Sequence, residues 1–161
     1  MRAAALIAEQ HVQVQFVIAG QCNTSLYDEL LKLRTELGLE EVVKFLGYID
    51  DPAEFLSGID LFLSSSIYEG MPLSAIQAMV AELPVLATRC GGYQELVMYG
   101  MNGRLVEVAS PEAIAKGLSG LLQDEALRVS LASRARQHAL STFDMKVMLQ
   151  AYQSIYSELM P

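Results

Sequence analysis

The feature that most restricts the fold of this chain is an alternation. Short apolar, β-rich runs are each followed by a helix-like segment. The runs are "VQVQFVIAG", "VVKFLGYI", "IDLFLSSS", "LPVLATR" and "NGRLVEV". Between them, "TSLYDELLKLRTELGL" carries leucines near helical spacing and closes on Gly38. "DPAEFLSG" opens with Asp51 as an N-cap and Pro52 at the first helical position. "GGYQELVMYG" reads as a short helix, and Arg2–Glu9 as a helix before the first run. From Ser110 the pattern is helical to the end, with Ser110 and Pro111 as cap and first turn and breaks near 123–124 and 142–144. Strands that alternate with helices pair in parallel, because each crossover carries a helix back over a sheet face. The expected fold is α/β: a single Rossmann-like domain over residues 1–161, with a parallel sheet and helices on both faces.

In open sheets of this kind ligands collect beyond the carboxyl ends of the strands. That rule singles out Gly20–Asn23, Gly47–Asp50, Ser65–Ser74, Thr88–Tyr93 and the neighbourhood of Gly103. The richest of these lies in "SSSIYEGMPLSAIQAM" (Ser64–Met79). Gly70 lets the backbone turn or approach a ligand. Pro72 fits the first helical position, and the N–H groups of Leu73 and Ser74 are expected to be free to form an anion site for a diphosphate. Glu69 has two readings from the local pattern. It is a solvated charge at an ordinary junction, or it faces neutral hydroxyls, since a carboxylate beside a phosphate would be repelled. Gln77 sits one turn into the helix and leans back toward the same mouth. Leu73, Ile76 and Val80 are expected to form the face that packs on the sheet.

Charge narrows the partners. With 19 acidic against 11 basic residues the net charge is −8, which disfavours a broad nucleic-acid surface. Arg128, Arg134, Arg136 and Lys146 admit contact with an anionic membrane surface, but a solvated helix face is the better reading because acids lie nearby. No apolar run reaches bilayer length, and the start lacks the pattern of a signal peptide. Cys22 and Cys90 are lone thiols that fit a reducing cytosol. His11 and His138 lack metal-ligand spacing, so no metal is expected. Met71, Met79, Met98 and Met101 read as packing or loop residues. Ser64–Ser66 lacks the nucleophile-elbow pattern, and neither common phosphate-binding glycine signature occurs.

"SSSIYEGMPLSAIQAMVAELPVLATRCGGYQELV" followed by "NGRLVEV" resembles the C-terminal, nucleotide-sugar-binding half of retaining glycosyltransferases of the GT-B fold (glycosyl transferases group 1). "VQFVIAGQCN", "VVKFLGYI" and "ARQHALSTFDMKVMLQAYQSIYSEL" match further segments in the same order. The resemblance implies that Glu69 contacts donor-sugar hydroxyls and that the backbone of Gly70, Met71, Pro72, Leu73 and Ser74 holds the sugar and diphosphate. It implies that Gly47, Tyr48 and Ile49 bracket the base and that Gly20 lines the phosphate side. Gly91, Gly92 and Glu95 match a glycine turn and a frequent helix acid, and both a purely structural role and a direct one stay open. The implied enzyme is a cytoplasmic hexosyltransferase of polysaccharide biosynthesis, with the cytoplasmic face of the membrane as an alternative location. Its substrate is a nucleotide-sugar, and it has no cofactor.

Three departures from the family pattern set further expectations. The second acid of the family's glutamate-x7-glutamate motif is Gln77 here, which weakens ribose binding. The acceptor-binding N-terminal domain and the first strand of the donor domain are expected to be missing. Arg2, Arg34, Arg89 and Arg104 do not replace the basic residues that strand would bring. The sheet is then expected to have a gap or an exposed edge able to self-associate. Such a fragment is expected to be inactive alone. A non-catalytic nucleotide-binding or assembly module is the alternative. An epimerase of similar fold is the weaker one, since its acid–histidine pairs are not evident.

Overall fold

A computed structural model describes residues 1–10, 13–22 and 25–160; His11 and Asn23 lie outside them. The elements run α1 (Arg2–Ala8), β1 (Phe16–Ala19), α2 (Ser25–Glu36), β2 (Val43–Gly47), α3 (Pro52–Ser57), β3 (Phe62–Ser64) and α4 (Leu73–Val80). They continue with β4 (Val85–Thr88), α5 (Gly91–Leu96), β5 (Arg104–Val106), α6 (Pro111–Leu122), α7 (Glu125–Thr142) and α8 (Met145–Leu159). Every expected strand and helix is present, with each strand shorter than its apolar run. Capping follows the sequence. Asp51 accepts from the Ala53 and Glu54 amides at 2.9 and 3.1 Å, and Ser110 accepts from Ala113 N–H at 3.2 Å.

Pairing is parallel throughout, but the described strands form two ladders: β1–β2, and β3–β4–β5 in that order. No pairing joins the two ladders, so the described strands do not form one continuous sheet. Burial registers this. β4, with a neighbour on each side, is buried at all four positions, whereas β1 and β3 are only partly covered.

Alternation along β4 sorts the helices onto two faces. Val85 and Ala87 pack with α4, α5 and α7 through Met79, Tyr93, Leu96, Ala135 and Ala139. Leu86 points the other way, into a cluster with Ile7 of α1 and Ile114, Leu118 and Leu121 of α6. This is the expected doubly covered sheet.

The helix after β3 turns a different side inward than its large apolar residues suggest. Leu73 and Val80 are 66% and 37% exposed, while Ala75, Ala78 and Met79 are buried and Ile76 is half-buried. Ala75 and Met79 of α4 share a cluster with Ala135 and Ala139 of α7, and alanine-on-alanine contact lets the two helices approach closely. Arg136 of α7 strengthens that contact by donating to the Val80 carbonyl at the end of α4. Arg128 donates to the Leu121 and Leu122 carbonyls at 2.7 and 2.8 Å, closing α6. Two of the four basic residues that suggested a membrane surface are thus committed to helix ends. No helix among the described residues is long and apolar enough to cross a membrane.

Candidate functional site

Two junctions at carboxyl ends of strands hold the expected site residues. At the first, Gly20 N–H donates to the Gly47 carbonyl at 2.8 Å, which ties the ends of β1 and β2 together. Gly47 has a φ of +73°, in the left-handed region where glycine avoids the Cβ penalty. That turn directs Tyr48 outward, 71% exposed, with Ile49 half-buried beside it.

The second junction follows β3 and is more constrained. Glu69 is half-buried, and its Oε1 accepts from the Ser66 hydroxyl at 2.8 Å. Ser66 is held in turn by Ser64, whose Oγ lies 3.2 Å from that of Ser66, and by Thr88 of β4, which donates to the Ser66 carbonyl. The Glu69 carbonyl accepts from Gly92 N–H at 2.8 Å.

That last contact explains the glycine pair. A Cβ at Gly91 would stand 2.4 Å from the Glu69 carbonyl oxygen, and one at Gly92 only 1.8 Å from the Gly70 carbonyl oxygen. Side chains are excluded because the β4–α5 turn rests directly on the Glu69–Gly70 backbone. Gly91 and Gly92 therefore fix the loop that carries Glu69. Glu95 is exposed on α5 and joins none of this network.

The start of α4 departs from expectation. Pro72 is buried and precedes the helix, with φ −77° and ψ 83°, rather than occupying its first turn. The Leu73 amide is not free: it donates to the Met71 carbonyl at 2.9 Å, within a tight turn. The Pro72 carbonyl takes the Ala75 and Ile76 amides at 3.0 and 3.2 Å. Among the described residues this leaves the Ser74 amide without an acceptor, so one amide rather than two is open at the helix mouth. Gln77 is exposed one turn along the same helix.

Burial raises the Tyr93 phenol above its ordinary pKa, and the nearby Glu69 charge pushes in the same direction. Ser66, Thr88 and Tyr93 lie in stretches singled out from the sequence, but their part in supporting Glu69 was not read there, and Ser64 lies just outside those stretches. Strand periodicity held a usable signal, since Ser64 and Ser66 are two residues apart and so share a side. The network's other partners come from β4 and α5, remote in sequence. Buried Asn102 was also missed. Its Oδ1 accepts from Met98 N–H at 2.8 Å and its Nδ2 donates to the Leu96 carbonyl at 3.1 Å, shaping the loop into β5.

A groove of about 1040 Å³ lies elsewhere, between α1, β5 and α6, and is lined by Leu6, Arg104, Glu107, Lys116 and Gly120 among others. It contains none of the site residues and no convergent hydrogen-bond network. His138 packs edge-on against Phe143 at 5.7 Å and reaches Thr142 at 3.4 Å, as a packed histidine would. No three metal-ligating side chains cluster among the described residues.

Comparison with known proteins gives the family and the fold. The family model for Glycosyl transferases group 1 matches residues 1–138. The chain is 32% identical over 125 residues to the lipopolysaccharide core biosynthesis glycosyltransferase LpsE of Rhizobium meliloti, covering 78% of this chain and 37% of LpsE. Its fold superposes on Alr3699/HepE of Anabaena, solved in complex with UDP and glucose, with a TM-score of 0.87 at 28% identity. That match covers 98% of this chain and 44% of HepE. The C-terminal domain of the LpcC group 1 protein from Francisella tularensis gives a TM-score of 0.79 at 27% identity, covering 89% of this chain and 77% of that domain. The chain thus spans well under half the length of LpsE and HepE.

Proposed function

Because the chain belongs to the glycosyl transferases group 1 family, we propose that it is the donor-binding half of an enzyme that moves a sugar from a nucleotide-sugar to an acceptor with retention. The observation that carries the reading is Glu69 at the end of β3, its carboxylate fixed by Ser66 and its backbone clamped under Gly91 and Gly92. A carboxylate held this firmly beside an open helix mouth suits neutral hydroxyls, which it accepts in charge-assisted hydrogen bonds.

In this reading Glu69 orients the donor sugar, and the backbone of Gly70 to Ser74, with the Ser74 amide at its end, receives the diphosphate. Gly47 to Ile49 flank the base, and Gly20 lines the phosphate side. The bond from the anomeric carbon to the diphosphate oxygen breaks, a bond from that carbon to the acceptor oxygen forms on the same face, and the acceptor proton passes to the departing diphosphate. No metal has a role in this scheme. Gln77 stands where the family's second acid would grip the ribose, so it accepts there without the charge-assisted part, a loss of roughly 1 kcal/mol.

That weakened grip favours a second reading: a module that binds the nucleotide without catalysing transfer. Calorimetric titration with UDP, GDP and ADP, and with the sugar-bearing form of whichever binds, tests the common premise. The expected result is weak binding of one of them, with Kd on the order of 0.1–1 mM, and a Glu69→Ala variant that loses preference for the sugar-bearing form. Equal affinity of wild type and variant for the nucleotide-sugar refutes the role of Glu69. A transfer assay on the chain alone, against one supplemented with an N-terminal half from a relative, separates the two readings.

A further inference from the structure

The hydroxyls behind Glu69 form a chain whose direction follows from counting protons. A carboxylate only accepts, and a serine hydroxyl has one proton to give. The 2.8 Å contact between Ser66 Oγ and Glu69 Oε1 therefore uses the proton of Ser66. The 3.2 Å contact between the two serine oxygens must then carry the proton of Ser64. Each link donates toward the carboxylate, and such chains strengthen their members cooperatively.

The anchor is equally specific. Thr88, fully buried in β4, donates to the Ser66 carbonyl, so the residue that grips the carboxylate is itself tied to the sheet. No described donor reaches the other carboxylate oxygen, Oε2. The arrangement leaves one oxygen committed to the protein and one to accept from a ligand.

The geometry points to Ser66 as a positioning and specificity residue for the donor sugar: it sets the rotamer of Glu69 so that one carboxylate oxygen meets a sugar hydroxyl. This rests on the reading of Glu69 as the sugar-binding acid. It adds that discrimination between a nucleotide-sugar and the bare nucleotide depends on a side chain that touches neither.

The test titrates the full chain with UDP-glucose and with UDP, for wild type, Ser66→Ala, Ser66→Thr and Glu69→Ala, with melting temperatures alongside. Ser66→Ala should weaken UDP-glucose by about tenfold relative to UDP, Ser66→Thr should retain the preference, and UDP affinity should be unchanged in both. A purely structural role would move both ligands together. If Glu69→Ala loses the preference and Ser66→Ala keeps it, the positioning role is overturned while the reading of Glu69 stands. If Glu69→Ala keeps it, that reading itself falls. A ligand-free readout covers the case of undetectable binding: the side-chain carboxylate 13C resonance of Glu69 should shift in Ser66→Ala and not in Ser65→Ala, and an unmoved resonance overturns the proposal. Should Ser66→Ala not fold, Ser66→Cys keeps the volume, weakens the donor and serves in its place.

Discussion

Gly92 is the position at which the clamp on Glu69 can be broken with one methyl group. In Gly92→Ala the new carbon would fall 1.8 Å from the Gly70 carbonyl oxygen, 2.7 Å from the carbon behind it and 3.0 Å from Pro72 Cδ. None of these is a flexible side-chain end, so backbone must move. Reaching even 3.0 Å requires the 69–72 loop and the β4–α5 turn to separate by about 1.2 Å. Overpacking of this kind costs about 1–3 kcal/mol. For a chain of this size that is a fall in Tm of roughly 3–10 °C. The separation also strains the 2.8 Å bond from Gly92 N–H to the Glu69 carbonyl, so the carboxylate leaves its place and preference for UDP-glucose over UDP should fall with stability. Differential scanning fluorimetry and calorimetric titration read the two effects. Gly58→Ala is the control, because a Cβ there meets only the Phe55 carbonyl at an ordinary 3.6 Å. A Gly92→Ala protein that melts within about 1 °C of Gly58→Ala and keeps its preference would refute the clamp.

Three further outcomes are expected. Gln77→Glu should restore a charged acceptor for the ribose and tighten UDP binding several-fold, up to about tenfold; calorimetry showing no change removes Gln77 from the site. Asn102→Ala leaves the Met98 amide and the Leu96 carbonyl without their partner and should cost about 2–4 kcal/mol, read from urea unfolding. Tyr93 should make stability fall at high pH. Its folded pKa lies above the unfolded value, so the contribution is fully present below about pH 10 and is lost as pH rises through the folded pKa. Tyr93→Phe should flatten that limb of a pH series of chemical unfolding.

The sequence displayed the frame because the frame is local. A strand run, an N-cap such as Asp51 and a proline at 52 act within a few residues, and the structure contains each where it was expected. The site was legible where it followed from the same rule, as for Glu69 beyond β3 and Gly47 beyond β2. It became illegible where a neighbour remote in sequence decided the matter. Small residues won on α4 because α7 offered alanines to approach. The Leu73 amide was lost to a turn with Met71, which the prospect of a proline-started helix concealed. The glycine pair read equally as a turn or as a ligand contact, since nothing within "GGYQEL" shows that a carbonyl from 69 lies on top of it.

Taken together, these contacts describe a site whose precision comes from the loop's supports more than from its own residues. The segment 65–72 has no regular structure, and alone it would hold Glu69 in many orientations. Three separate tethers remove that freedom: Thr88 on the Ser66 carbonyl, Ser66 on the carboxylate, and Gly92 on the Glu69 carbonyl. Two of the three originate in β4 or at the start of α5, which follows it closely, and β4 is the strand buried at every position. The loop that carries Glu69, the proposed sugar-binding acid, is therefore anchored to the strand that is buried throughout. Substitutions that loosen β4 should then degrade sugar recognition even where they touch no site residue.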